Sequence, residues 1–131
     1  MEKLLNEEHI PFKLLSKKEG YEIQKNWLNL FASEVLEKTG KYQVGNFLWE
    51  NFGSELQPSL TNTKAVEEYK KCKVEPLYIF NEGCNQCYYC QVSKLPEFPD
   101  RSGDIYIIPF SKEWTMVYSH MGEVYFATKK T

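Results

Sequence analysis

The clearest hydrophobic pattern in the chain lies between residues 21 and 38. Large apolar side chains recur there at spacings of three or four, on one face of an α-helix; they are Ile23, Trp27, Leu30, Phe31 and Val35. Gly40 follows where a C-terminal helix cap is expected. The pattern therefore predicts one helix over residues 21–38, with Trp27 and Phe31 buried against a sheet.

Weaker helical patterns lie on either side of this segment. Residues 2–8 predict a short helical turn. Residues 63–72 predict a second helix with Thr63 as its N-cap and with Val66, Tyr69 and Lys70 along its packed edge. Pro11 favours an extended segment around it. Residues 43–53 are aromatic, and their periodicity does not distinguish a helix from a strand.

After residue 74 the pattern changes to short runs of β-branched and aromatic residues separated by turn residues. We expect strands within residues 74–80, 86–92, 104–110, 113–119 and 123–128. Their short connections imply antiparallel pairing, because parallel strands need long crossovers. Residues 1–131 are therefore predicted to form a single globular α+β domain, with an antiparallel sheet of about five strands in the C-terminal half packed against N-terminal helices.

The aromatic pattern of the chain also resembles a known family. The resemblance covers roughly residues 8–128 and rests on core patterns rather than reactive groups; its segments are Trp27 with Phe31, Leu48-Trp49 with Phe52, Leu77–Phe80, Asp104–Ile108, Glu113–Tyr118, His120 and Val124–Phe126. This aromatic pattern is similar to that of the bacterial family catalogued as domain of unknown function 4275. The resemblance implies an α+β fold and a bacterial protein, and it implies no mechanism.

The charge balance narrows the classes of partner. The chain has 16 Lys and Arg residues against 18 Asp and Glu residues, a net charge of -2, and Arg101 is its only arginine. Arginine is the usual reader of phosphates and bases, so we do not expect nucleic-acid binding. The chain has no long apolar run, and its first eight residues lack the layout of a signal peptide. We therefore expect a cytoplasmic protein with no membrane partner.

The cysteines are the most distinctive group of reactive side chains. Four thiolates could hold zinc or an iron–sulfur cluster; the candidate ligands are Cys72, Cys84, Cys87 and Cys90. If residues 86–92 form a strand, however, Cys87 and Cys90 point to opposite faces and cannot share one metal. We therefore expect no bound metal and no cofactor, and a structural zinc or redox-responsive domain stays an alternative.

An enzyme of unrecognised type that uses His120, Glu123 and a cysteine is a second alternative. His120 lies in a predicted turn near Glu123, and a histidine beside a carboxylate can act as a general base. The common nucleophile, metalloprotease, phosphate-binding and dinucleotide-binding motifs are absent from the sequence. We therefore expect no catalytic residues.

The favoured hypothesis is a non-enzymatic protein-binding domain. The chain has three Trp, nine Tyr and eight Phe residues, more than one small core needs, and exposed aromatic residues near acids are good anchors for a protein partner. Toxin-neutralising immunity proteins, which cover the active surface of a basic toxin domain, are the leading class, because complementary charge speeds association. The predicted binding residues are Glu50, Glu82, Tyr88, Tyr89, His120 and Glu123.

Overall fold

The computed structural model describes residues 1–43, 45, 47–53, 57–83, 86–98 and 103–129. In this part of the chain the helices are α1 Glu2–Glu7, α2 Lys17–Phe31, α3 Ser33–Thr39, α4 Glu50–Gly53 and α5 Asn62–Lys70. The strands are β1 Phe12–Leu14, β2 Leu60–Thr61, β3 Leu77–Asn81, β4 Cys87–Cys90, β5 Ile105–Pro109, β6 Trp114–Tyr118 and β7 Val124–Thr128.

The predicted helix over residues 21–38 is two helices, α2 and α3, which meet at Ala32. α2 begins earlier than expected because Ser16 and Glu19 form a reciprocal capping box at its N-terminus. At the junction, the buried side chain of Gln57 accepts the backbone N–H groups of Glu34 and Val35 at 3.1 and 3.4 Å. These bonds satisfy the first turn of α3, and they come from a residue more than 20 positions away. The prediction of a cap at Gly40 is confirmed, since this residue adopts the left-handed conformation there.

All neighbouring strands are antiparallel, in the order β1-β4-β3-β5-β6-β7-β2. The α+β class is therefore confirmed, and each of the five predicted strands is present. The sheet described here has seven strands rather than about five, because β1 and β2 come from the N-terminal half and pair at its two edges. With three and two residues, these edge strands are too short to show an alternating pattern.

Helices cover both faces of the sheet, which explains the aromatic content. One face packs against α1 and α5 through Leu5, Ala65 and Tyr69. The N-cap of α5 is Thr61 rather than the predicted Thr63, and its buried residues are Ala65 and Tyr69. The other face packs against α2 through Ile23, Trp27 and Phe31, and against the segment that contains Trp49 and Phe52. Two layers of aromatic side chains are thereby removed from water.

A buried hydrogen-bond chain ties α2 to the centre of the sheet. The indole N–H of Trp27 donates to the hydroxyl of Thr115 at 2.8 Å, and this hydroxyl donates to the carbonyl of Ile107 at 2.8 Å. Both Trp27 and Thr115 are fully buried. The predicted core position of Trp27 is confirmed, and its polar atom is satisfied only because a threonine stands opposite it on β6.

Candidate functional site

The register of the sheet brings the ends of four neighbouring strands together at one end of the sheet. Asn81 at the end of β3 pairs with Ile105 at the start of β5, which pairs with Tyr118 at the end of β6, which pairs with Val124 at the start of β7. The polar residues beside these ends therefore lie in neighbouring connections. We call the group that forms there with residues 47–50 the acid–aromatic cluster; its members are Phe47, Trp49, Glu50, Glu82, Asp104, Tyr106, His120, Glu123 and Tyr125.

Glu82 is the half-buried carboxylate at the centre of this cluster. Its Oε1 accepts the backbone N–H of Leu48 at 3.0 Å and the hydroxyl of Tyr106. The Tyr106 hydroxyl in turn accepts the backbone N–H of Trp49 at 3.1 Å, so these bonds hold residues 48 and 49 against the sheet. Burial raises the pKa of Glu82 above its usual value, and the charges of Asp104 and Glu50 raise it further against the lowering effect of the two hydrogen bonds.

The carboxylate partner of His120 is Asp104, and this corrects the expectation that Glu123 has that role. The Nδ1 atom of His120 lies 2.9 Å from Asp104 Oδ1, and the His120 backbone N–H donates to the same oxygen at 2.7 Å. The carboxylate is 9% exposed and the imidazole 40% exposed. Glu123 instead accepts the hydroxyl of Tyr125. The reason is the register: the start of β5 adjoins the end of β6, so Asp104 lies beside His120.

Aromatic rings surround His120 on the side of residues 47–50. Its ring centroid lies 4.9 Å from that of Phe47 and 5.8 Å from that of Trp49, both with edge-on geometry. Trp49 also stacks on Phe47 at 5.7 Å and on Tyr125 at 6.0 Å. Trp49 is 9% exposed, and within the described part of the chain its indole N–H is the one buried side-chain polar atom that has no hydrogen-bond partner.

The carboxylates of the cluster have no cationic side chain paired with them among the described residues, apart from the His120–Asp104 contact. Ion pairs elsewhere in this part of the chain include Lys70–Glu97, Lys71–Glu68 and Lys129–Glu113. Glu50, Glu82 and Glu123 take part in none of them. No group of three or more His, Cys, Asp or Glu side chains in the described ranges could hold a metal ion. The cluster thus offers negative charge without the convergent geometry of a metal site.

The predicted divergence of the strand cysteines is confirmed. Cys87 packs in the core under α2, and Cys90 packs in the core on the opposite face of the sheet. Burial raises the pKa of both thiols to about 12 and that of Cys72 to about 11, so all three stay protonated near neutral pH. Cys84, the fourth candidate ligand, lies outside the described residues.

Tyr88 and Tyr89, two of the predicted binding residues, are not part of the cluster. Tyr88 is 2% exposed, and its hydroxyl donates to Glu2 at 3.1 Å on the α1 face, so the fold places this residue in the core and away from the cluster. Tyr89 is half-buried on the other face, where its ring contacts that of Tyr78 at 5.5 Å. Tyr78 pairs with Ile108 and thus lies toward the opposite end of β3 from Glu82.

Four predicted residues, Glu50, Glu82, His120 and Glu123, are brought together by the fold. Sequence reasoning missed the remaining members of the cluster, although a signal existed for some. Trp49 and Phe47 belong to the aromatic segment of undecided structure, and Asp104 opens a predicted strand. Tyr106 and Tyr125 showed no feature that separates them from core residues.

Comparison of the chain with protein-family models, curated proteins and solved structures gave no match. The family resemblance described above therefore stays a prediction. Within the described ranges, none of the helices combines the length and the apolar character that a membrane crossing requires.

Proposed function

We propose that this chain is a small non-enzymatic protein-binding domain of the immunity type, which inhibits a basic protein partner by covering its active surface. The observation that carries this proposal is the acid–aromatic cluster. It places four carboxylates beside partly exposed rings at one end of the sheet. Three of them, Glu50, Glu82 and Glu123, have no cationic partner among the described residues.

The physical argument rests on the cost of keeping such charges close together. Ionised Glu82 is partly desolvated and is repelled by Asp104 and Glu50, so the cluster is electrostatically unfavourable in the isolated chain. A basic partner relieves this repulsion and is attracted by the same field during its approach. The partly exposed rings of Phe47 and His120 supply apolar contact area, and exposed Met121 follows His120 directly in the turn.

Differential co-purification from the native cells tests this function. The bait is the full chain, with Glu50→Gln/Glu123→Gln as the cluster variant and Glu22→Gln/Glu67→Gln as the matched control. Glu22 and Glu67 are helix residues outside the cluster, so both variants lose the same charge. We expect one stoichiometric basic protein with the wild-type and control baits, and much less of it with the cluster variant.

The salt dependence of capture supplies a second criterion. Recovery should fall as ionic strength rises, because screening shortens the reach of the carboxylates. Recovery of the bait alone under all conditions, or equal recovery of a partner by the control and cluster variants, would refute the proposed function.

One observation favours a second candidate, general-base chemistry at His120. Asp104 holds Nδ1 of a partly exposed imidazole, which leaves Nε2 as the ring nitrogen available to a substrate. A panel of ester, phosphoester and peptide substrates, assayed with the wild type and with His120→Gln, tests this candidate. Turnover that is lost in the variant would favour it, whereas equal rates would exclude it for those substrates.

A further inference from the structure

The pairing between β1 and β4 ends at Pro11, and a cavity begins there. The backbone N–H of Gln91 donates to the Pro11 carbonyl at 3.2 Å, but proline has no N–H with which to return the bond. Beyond this bond, residues 8–11 form one wall and residues 92–97 form the facing wall of a cavity of about 420 Å³. This volume lies in the range of small-molecule binding sites.

Hydrogen bonds to the rest of the fold hold both walls in place. On the first wall, the backbone N–H groups of His9 and Ile10 donate to carbonyls of α1 at 3.1 and 2.9 Å. On the second wall, the Pro96 carbonyl accepts the hydroxyl of Tyr69 at 2.6 Å. Ile10 and Pro96 are buried and Leu95 is half-buried. The cavity therefore has a preformed shape and an apolar part in its lining.

Two opposite charges on the facing walls are not neutralised within the described part of the chain. Glu8 lies on the first wall and Lys94 on the second, and neither forms an ion pair with another described residue. The remaining carboxylate of the lining, Glu97, is paired with Lys70 at 3.3 Å. The cavity thus offers one anion and one cation, which a ligand that carries both charges complements.

His9 is held in a strained conformation between Glu8 and the apolar part of the lining. Its φ of 56° lies in the left-handed region that favours glycine. Strain of this kind is concentrated at functional sites, where the side chain is used. The imidazole of His9 and the hydroxyl of Ser93, both in the lining, can donate and accept hydrogen bonds. These are the two interactions that a peptide group requires.

We propose that this cavity binds an apolar dipeptide with free termini. Its ammonium group is complemented by Glu8 and its carboxylate by Lys94. Its peptide group is satisfied by His9 and Ser93, and its side chains lie on the apolar part of the lining. A free amino acid has no peptide group to offer, and a capped peptide lacks one of the two charges.

Titration of the ¹⁵N-labelled full chain with L-leucyl-L-leucine, followed by NMR, tests the inference. Three control probes each remove one feature. The N-acetylated dipeptide lacks the ammonium group, the dipeptide amide lacks the carboxylate, and glycylglycine lacks the apolar side chains. We expect leucyl-leucine to shift the amide resonances of both walls to saturation, and each control probe to bind about tenfold more weakly.

Single variants assign the two charges. Lys94→Gln should weaken leucyl-leucine by about tenfold and abolish its advantage over the amide, whereas Glu8→Gln should abolish its advantage over the N-acetylated probe. Glu22→Gln and Lys25→Gln are matched charge changes at exposed positions of α2, and they should leave the affinity unchanged. His9→Gly should bind leucyl-leucine more weakly although it relieves the backbone strain.

Equal affinity for leucyl-leucine and either capped probe would overturn the inference. A response confined to residues outside the two walls, or the absence of any response, would overturn it as well. The proposed protein-binding function is tested separately, because the cavity is remote from the acid–aromatic cluster. Gln91 follows the pair that Cys90 forms with Leu77, at the opposite end of β3 from Glu82.

Discussion

The buried chain from Trp27 through Thr115 to Ile107 gives the sharpest test of how the fold is held together. Thr115→Val replaces the hydroxyl with a methyl group of similar size, so the packing volume is kept while the acceptor for the Trp27 indole N–H is lost. A buried donor that loses its partner costs about 1–3 kcal/mol. Because Trp27 and Thr115 are both fully buried, water cannot take over this role without a rearrangement. We expect the free energy of unfolding to fall by about 2 kcal/mol.

Equilibrium urea denaturation followed by circular dichroism measures this loss. Thr115→Ser is the matched control, because it keeps the hydroxyl and removes only a methyl group, which costs about 1 kcal/mol. A double-mutant cycle with Trp27→Phe isolates the hydrogen bond, since the phenyl ring has no N–H to satisfy. Thr115→Val should then cost less in the Trp27→Phe background than in the wild type. Equal costs in the two backgrounds, or a loss no larger than that of Thr115→Ser, would show that the hydrogen bond does not stabilise the fold.

Three further predictions concern charge, capping and backbone conformation. The raised pKa of Glu82 means that the folded state binds its proton more tightly than the unfolded state, so stability falls as the pH rises from the ordinary carboxyl value of 4.5 through the raised pKa. Glu82→Gln removes this decline. Denaturation over a pH series should show that the variant is more stable than the wild type above the raised pKa of Glu82, and that it gains no stability below pH 4.5. Gln57→Ala should destabilise the chain by about 1–2 kcal/mol in urea melts, because it removes the acceptor from the first turn of α3, whereas the isosteric Gln57→Glu retains it. His9, the residue after the C-cap Glu8 of α1, has a φ of 56°, so His9→Gly should stabilise the chain by about 0.5–1 kcal/mol, while His9→Ala should not; a cost for the glycine variant would contradict this.

Residue types alone predicted four members of the candidate site, but they did not predict the residues that these four contact. Glu50, Glu82, His120 and Glu123 stood out as acids and a histidine near aromatic segments, and they do lie in the acid–aromatic cluster. Their partners did not stand out, since Asp104 is 16 positions from His120 and Tyr106 is 24 positions from Glu82. The burial of Tyr88 could not be predicted, because the alternation of a strand shows that neighbouring side chains diverge but not which of the two faces a helix covers.

The local pattern of residues was enough to predict the α+β class, the five longer strands, the core position of Trp27 and the divergence of Cys87 from Cys90. Each follows from local stereochemistry, in which side chains repeat every 3.6 residues along a helix and alternate along a strand. Only the folded chain shows the break at Ala32, the two short edge strands and the meeting of Asp104 with His120. These features depend on strand register and on side chains that reach across the fold, and both are set by contacts between residues far apart in the chain.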